Sequence, residues 1–120
     1  MNMNKFVLDV LKPIGIPVYF ATNTGDASEY LIFNVWEIPS LHADDKELQV
    51  TQMVQIDIFT PGNFLPIANE VKKRMVEAGF MRVLENPADY IEETKLFRKT
   101  FRFSYTTKKL GGNERWQLSV

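Results

Sequence analysis

Residues 48–80, LQVTQMVQIDIFTPGNFLPIANEVKKRMVEAGF, contain a strand, a stop signal and a helix in direct succession. Apolar and polar side chains alternate from Leu48 to Thr60, which is typical of a strand with one buried face. The Pro-Gly-Asn sequence that follows ends this strand, and its Asn63 is the expected N-cap of the next element. Apolar side chains then recur every three or four residues, which predicts a helix from about Phe64 to Ala78. Gly79 favours a left-handed C-terminal cap.

Four other strands and a second helix are predicted around this unit. The segment Glu29–Ile38 has apolar side chains on both faces, which predicts a central strand covered on both sides, with Trp36 in the core. The segment Lys95–Thr107 has aromatic side chains on one face and polar ones on the other, which predicts a half-buried strand. The remaining elements are a helix at Asn4–Leu11, capped by Asn4, and strands at Ile16–Phe20 and Phe80–Leu84.

Short turns join most of these strands, and short connections favour antiparallel pairing. We therefore predict an α+β fold, with a mixed, mostly antiparallel β-sheet and helices packed on one face. This fold is predicted to form a single domain at residues 1–107. The composition then becomes polar and includes Gly111 and Gly112, so residues 108–120 are predicted to be a flexible C-terminal tail.

Composition excludes several classes of protein. The chain has 120 residues, of which 45% are hydrophobic and 24% charged, close to the average for a globular domain. No apolar run approaches the roughly 20 residues of a membrane span, so neither a membrane anchor nor a secretory signal is predicted. The chain has no cysteine, which excludes disulfides and thiolate chemistry. A net charge of −1 argues against bulk attraction to nucleic acid or to an acidic membrane.

Charge is distributed unevenly between the two halves of the sequence. Residues 1–60 carry three basic and eight acidic side chains, a balance of −5. Residues 61–120 carry eleven basic and seven acidic side chains, a balance of +4. Ordinary scatter over a solvated surface is one interpretation. The other is a polar molecule that stacks head to tail with copies of itself.

Motifs for catalysis are missing from the sequence. No glycine-rich phosphate loop and no nucleophile elbow occurs, and His42 is the only histidine. One loop places His42 close to Asp44, Asp45 and Glu47. Carboxylates at this spacing could hold a hard cation, but the spacing matches neither an EF-hand nor a zincin and is more typical of a solvated acidic loop. We therefore predict no catalytic residue, no cofactor and no metal site.

Two further groups of residues are candidates for contact with a partner. Arg98 and Arg102 lie on the polar face of the last predicted strand, but no aromatic side chain for base stacking shares that face, so sequence-specific nucleic-acid binding is not expected. Trp116 and Leu118 lie in the polar tail, where they are either an anchor for a partner or incidental. The predicted oligomer or partner interface accordingly consists of His42, Asp44, Asp45, Glu47, Arg98, Arg102, Trp116 and Leu118.

Five stretches in a fixed order resemble a known family. They are YLIFN at residues 30–34, ADDKE at 43–47, QIDIFTPGN at 55–63, EAGF at 77–80 and EETKLFRK at 92–99. In this order and spacing the chain resembles the tail terminator proteins of long-tailed phages (siphophages) and prophages of Gram-positive bacteria. These are also called tail completion or tail-to-head joining proteins. The resemblance covers roughly residues 29–105.

The resemblance implies a structural function. Such a protein forms a ring, expected to be a hexamer, which caps the tail tube and joins it to the head connector or head-completion protein. It would lie at the head-proximal end of the tail in the virion, and in the host cytoplasm during assembly. The family offers no catalytic residues to transfer, so no enzyme is expected.

Three alternatives remain open at the level of sequence. The chain could be a head-completion adaptor of the same phage module, or a protein-binding adaptor unrelated to phages. It could also be a small enzyme whose site forms between subunits, with His42 and Asp44 from one copy and Arg98 from another.

Overall fold

The structure is a computed structural model that describes residues 2–23, 25–39, 48–109 and 116–118. The two helices are α1 (Met3–Leu11) and α2 (Leu65–Glu77), and a single 3₁₀ turn, Lys12–Ile14, follows α1. The strands are β1 (Val18–Phe20), β2 (Tyr30–Pro39), β3 (Leu48–Thr60), β4 (Met81–Glu85), β5 (Asp89–Ile91), β6 (Leu96–Lys109) and β7 (Trp116–Leu118).

The strands form one mixed sheet in the order β1-β2-β3-β6-β4, with β5 and β7 also paired to β6. Only β1 and β2 run parallel, and every other pair of described strands is antiparallel. This arrangement confirms the predicted α+β fold class. β6, from the C-terminal half of the chain, pairs with β3, from the N-terminal half. The two halves of the chain therefore lie side by side in one sheet.

One face of the sheet holds the core. The register places Phe33 of β2 beside Ile56 of β3, and Ile56 beside Phe101 of β6, so that three large side chains form one buried row. Both helices cover this face, and their inward side chains join the same apolar cluster: Met3, Val7 and Leu11 from α1, and Ala68, Val71 and Met75 from α2. The alternation predicted from the sequence is therefore the alternation that builds the core.

The end of α2 forms as its sequence predicts. Gly79 has a φ of 103°, a conformation that favours glycine. The Phe80 N–H donates to the Met75 carbonyl and the Gly79 N–H to the Val76 carbonyl, which together make a Schellman motif. Phe80 is then buried against the core. The start of α2 differs from expectation, since Asn63 accepts from the Leu65 N–H one residue before the cap position.

Two details of the sequence prediction are wrong. The cap of α1 is Asn2, whose Oδ1 accepts from the Lys5 N–H at 3.1 Å, and not Asn4. The short strand β5 was not predicted.

The prediction that β2 is covered on both faces is also wrong. Both helices lie on the Phe33 side, and no described helix lies on the opposite side. Trp36, expected in the core, is 37% exposed. A strand face that the chain itself buries and a strand face that another molecule covers have the same apolar pattern in the sequence. The pattern alone therefore does not distinguish the two.

The position of Phe101 leads to a stability prediction. Its side chain is fully buried in the row that joins the sheet to α2. Phe101→Ala should reduce the free energy of unfolding by about 3–5 kcal/mol, because the cavity loses contacts with both layers. Urea denaturation should show this loss, whereas Leu65→Ala, at an exposed position of α2, should change stability little. Equal effects of the two substitutions would contradict the described core.

Candidate functional site: the open sheet face and its edges

The face of the sheet opposite the helices is open in the part of the chain that the structure describes. Three strands contribute alternate side chains to it, so it is a continuous surface and not a cleft. From β2 these are Tyr30, Ile32, Asn34, Trp36 and Ile38; from β3, Thr51, Met53, Gln55, Asp57 and Phe59; from β6, Arg98, Thr100, Arg102, Ser104 and Thr106.

Aromatic side chains occupy one end of this open face. The rings of Tyr30 and Phe59 stack at 4.9 Å between centroids, and Tyr19 of β1 packs edge-on against Tyr30 at 6.1 Å. The Tyr19 hydroxyl also lies so close to Gly25 that a side chain there would clash with it. The absence of a side chain at Gly25 therefore leaves room for the Tyr19 hydroxyl.

The middle of the open face is a hydrogen-bonded polar band. Thr100 donates to one carboxylate oxygen of Asp57, and the Gln55 amide donates to the other at 3.2 Å. Arg102 Nε donates to Gln55 Oε1 at 2.9 Å, and its guanidinium lies 5.6 Å from the centre of the Trp36 ring. These contacts hold polar side chains rigid at the surface, which suits recognition by a protein partner.

The two predicted arginines do lie on one face, two rows apart. Arg98 makes a two-pronged ion pair with Asp89 of β5, with Nη2–Oδ2 at 2.9 Å and Nε–Oδ1 at 3.3 Å. Arg102 is engaged with Gln55 and Trp36. Their donors are thus partly used within the chain.

The structure describes only some of the other predicted interface residues. His42, Asp44, Asp45 and Glu47 lie outside the described residues. Trp116 and Leu118 belong to β7, whose backbone pairs with the end of β6 of the same chain.

The edge strand β4 presents apolar surface that the sequence analysis missed. All five of its residues are exposed, with Met81 at 69% and Val83 at 54%. The register between β4 and β6 shifts between Arg82 and Leu84, so Val83 sits in a bulge. The five residues resemble an ordinary buried strand in sequence, and only their place at the edge of the sheet reveals their exposure.

A cluster of charges fixes β4 against the core. Lys99 is buried, and its Nζ lies 3.0 Å from Glu85 Oε2 and 2.6 Å from the Asn86 carbonyl oxygen. Arg82 and Lys72 approach the other Glu85 oxygen at 3.1 and 3.7 Å. The hydrogen bond from Lys99, aided by these positive charges, lowers the pKa of Glu85 below its usual value.

At the opposite side of the sheet, a groove lies between the start of α1 and the second half of β2, and it reaches from Phe20 of β1 to Gln52 of β3. β1 pairs only with Leu31–Phe33, and no described strand pairs with the outer edge of β2 after Asn34. The groove has a volume of about 300 Å³ between this edge and the start of α1. Its lining is half apolar and half polar: Met3, Phe20, Val35 and Trp36, with Asn2, Asn4, Glu37 and Gln52.

The described residues contain no group of three or more His, Asp or Glu side chains able to hold a metal ion. Within the same ranges, neither helix is long and apolar enough to cross a membrane. The features that stand out in the described residues are therefore the open face, the exposed strand β4 and the groove beside β2.

The comparisons with known proteins give a likeness of fold. No family model and no curated protein matches the chain. Among solved structures, a chain from the virion of a native gene transfer agent (GTA) particle is similar, with a TM-score of 0.53 and 16% sequence identity. The match covers 82% of this chain and 81% of that chain. The likeness therefore extends over most of the domain and is not confined to a shared supersecondary motif.

The Glu85 cluster leads to a pH-dependent prediction. Because the pKa of Glu85 is lowered on folding, its charge adds stability above its unfolded pKa, and this stability is lost as the pH falls through the lower, folded value. Glu85→Gln should reduce the free energy of unfolding at pH 7 by about 1 kcal/mol, since the carboxylate is partly exposed and solvent screens the pair.

The same substitution should have almost no effect at a pH low enough to protonate Glu85 in the folded protein. Chemical denaturation of both proteins across this pH range measures the difference. Glu77→Gln is the control, because Glu77 is exposed on α2 and forms no ion pair within the described chain. A loss that persists unchanged at low pH would contradict the ionic origin of the effect.

Proposed function

We propose that this chain is a structural protein of a phage-like virion, and that it forms a ring that terminates the tail tube and joins it to the head. The observation that carries the proposal is the likeness of fold to a chain of a GTA virion over four-fifths of both chains. The five sequence stretches that resemble tail terminators independently favour the same class. The proposal further specifies that the ring lies at the head-proximal end of the tail.

The surfaces of the domain support an assembly role. The sheet has two unlike edges, the groove beside β2 and the exposed strand β4, and an open face with ordered polar groups. Contacts between unlike surfaces of identical subunits are heterologous, and heterologous contacts form a ring when the rotation between successive copies closes on itself. The proposed partners are other copies of the chain, a tail tube protein and a head connector or head-completion protein.

The mass of the purified protein tests the ring. The assembled form should have a mass that is a multiple of 13.9 kDa, with six copies expected. Raising the salt concentration should weaken assembly if the acidic and basic halves of neighbouring copies meet, because the Debye length falls from about 10 Å at 0.1 M to about 3 Å at 1 M. Light scattering coupled to size exclusion measures both. Stronger assembly in high salt would show that apolar contact dominates instead.

A reconstitution experiment separates the tail terminator from the head-completion adaptor. A terminator should bind the ends of polymerised tail tube protein and stop further growth, so that tubes formed in its presence are shorter by electron microscopy. An adaptor should bind the head connector and leave tube length unchanged. The Phe101→Ala variant, if unfolded, serves as the inactive control.

The C-terminal segment gives another prediction. Deletion of residues 111–120 removes β7 and should leave the circular-dichroism melting curve of the domain nearly unchanged, because the core residues that the structure describes all precede this segment. If the segment also pairs with the sheet of a neighbouring copy, the deletion should weaken or abolish ring formation and tail completion. Rings that form normally without residues 111–120 would exclude this role for the segment.

A further inference from the structure

Arg102 on the open face differs from the other arginines of the described chain. Three of these four arginines form an ion pair with a carboxylate at 2.9–3.1 Å: Arg74 with Glu70, Arg82 with Glu85 and Arg98 with Asp89. Arg102 forms no ion pair with any described residue. Its positive charge is therefore available to a carboxylate from outside the described chain.

The side chain of Arg102 is nevertheless held in one place. The register sets Arg102 of β6 opposite Gln55 of β3, and Trp36 of β2 opposite Met53 of β3. The guanidinium reaches across β3 to lie 5.6 Å from the centre of the Trp36 ring, and its Nε donates to Gln55 Oε1 at 2.9 Å. Met53 lies between these strands and is only 8% exposed, although no described helix lies on this face. The stem of the arginine is thus packed on the sheet.

These contacts leave one edge of the guanidinium unused. Within the described chain, Nε of Arg102 has a hydrogen-bond partner, and the two terminal nitrogens have none. Stacking on Trp36 fixes the plane of the group, and the bond to Gln55 fixes its rotation in that plane. The edge formed by Nη1 and Nη2 can donate two parallel hydrogen bonds to one carboxylate. Because the side chain is already ordered, little freedom is lost when such a carboxylate binds.

Exposed apolar side chains border this guanidinium. Trp36 is 37% exposed, and Ile38, which follows it on the same face of β2, is 44% exposed. The row that contains Trp36 continues through Met53 and Ser104 to Met81 of β4, which is 69% exposed. A tryptophan and an arginine among apolar side chains are typical of the energetic centre of a protein interface. Apolar neighbours exclude water from an ion pair that forms there.

The other charges of the open face favour a protein over a nucleic acid as the partner. Asp57 lies on the same face, where Thr100 and Gln55 donate to its carboxylate. A continuous run of phosphates across this face would meet the negative charge of Asp57 as well as Arg102. Arg98, the other cation described on this face, is neutralised by Asp89. Nucleic-acid binding normally requires several free cations, whereas one acidic side chain of a protein needs only one.

We propose that Arg102, stacked on Trp36, anchors a protein interface on the open face, and that it receives an Asp or Glu side chain that the partner presents among apolar side chains. The chemistry of this site is argued from the described contacts alone. Only the assignment of the partner to a virion protein rests on the proposed function.

Selection from a displayed library of random peptides tests the chemistry of the site without knowledge of the partner. The purified chain is the target, and counter-selection on the Arg102→Glu variant removes peptides that bind elsewhere. The retained peptides should share an Asp or Glu beside apolar residues. In synthetic copies, replacement of that residue by Asn or Gln should weaken binding at least tenfold by calorimetry. Retained peptides without an acidic residue, or no retained peptide, would overturn the proposal.

Two further variants control for charge and for geometry. Lys73→Glu changes the net charge as Arg102→Glu does, but Lys73 is exposed on α2, on the other side of the sheet. It should bind the selected peptides as the unmodified chain does, and both variants should keep its melting curve. Arg102→Lys keeps the charge but lacks the planar fork, so it should bind several-fold more weakly. Equal binding by Arg102→Lys would overturn the stacked geometry.

A single-stranded oligodeoxythymidine tests the nucleic-acid alternative on the same variants. It should not bind the unmodified chain at physiological salt. Binding that is lost in Arg102→Glu and kept in Lys73→Glu would show that the site takes phosphate, and would overturn the proposed protein partner.

Assembly measurements separate this site from the proposed function. If the selected peptides bind through Arg102 but the unmodified chain neither oligomerises nor binds a tail tube protein or head connector, the proposed function fails and the site stands. If the unmodified chain and Arg102→Glu assemble equally well and no acid-dependent peptide is retained, the site fails and the proposed function stands.

Discussion

Thirteen consecutive residue pairs join β3 to β6, and the rest of the structure depends on their register. The pairing sets Val54 beside Phe103 and Ile56 beside Phe101, so the apolar side chains of both strands face the helices. A slip of one residue would turn this set to the open face, because side chains alternate along a strand. The hydrophobic core and the polar band of the open face are thus two consequences of one register.

This central pair also explains why the edges of the sheet differ. β3 carries β2 and β1 on one side, while β6 carries β4, β5 and β7 on the other. Three short strands along β6 leave a broken edge with a bulge, whereas β2 outruns its short partner β1 and leaves a straight edge beside α1. A two-fold dimer would pair one edge with the same edge of a second copy, whereas a head-to-tail assembly would pair the two unlike edges.

Most of the fold can be predicted from the sequence, because in most segments the local sequence pattern and the burial of the side chains favour the same structure. The alternation of Leu48–Thr60 and the glycine cap at Gly79 each specify a structure that the core then uses. Prediction failed where a side chain's partner lies far away in sequence or in another molecule. Trp36 was assigned to the core because its strand is apolar on both faces, and the short strand β5 is defined only by its pairing with β6.

The candidate interface was harder to predict for the same physical reason. Charge drew attention to Arg98 and Arg102, but both are partly engaged within the chain, by Asp89 and by Gln55. The exposed residues of β4 lacked any signal, since Met81 and Val83 are of the type that normally fills a core. An edge position is a property of topology, and single-sequence patterns carry almost no information about it.

The residues that stabilise the fold and the exposed apolar residues lie on different parts of this domain. The residues that hold it together lie on the helix side of the sheet, where Val71 and Met75 of α2 are fully buried in the same cluster as Phe101. The exposed apolar residues of the groove and β4 contribute little to that core, because water still reaches them. Exposed apolar surface on an isolated subunit is ordinarily a liability for aggregation. It is retained at low cost where another molecule covers it, so the exposed residues of the groove and of β4 are the part of this domain in which substitutions can test assembly without disturbing the core.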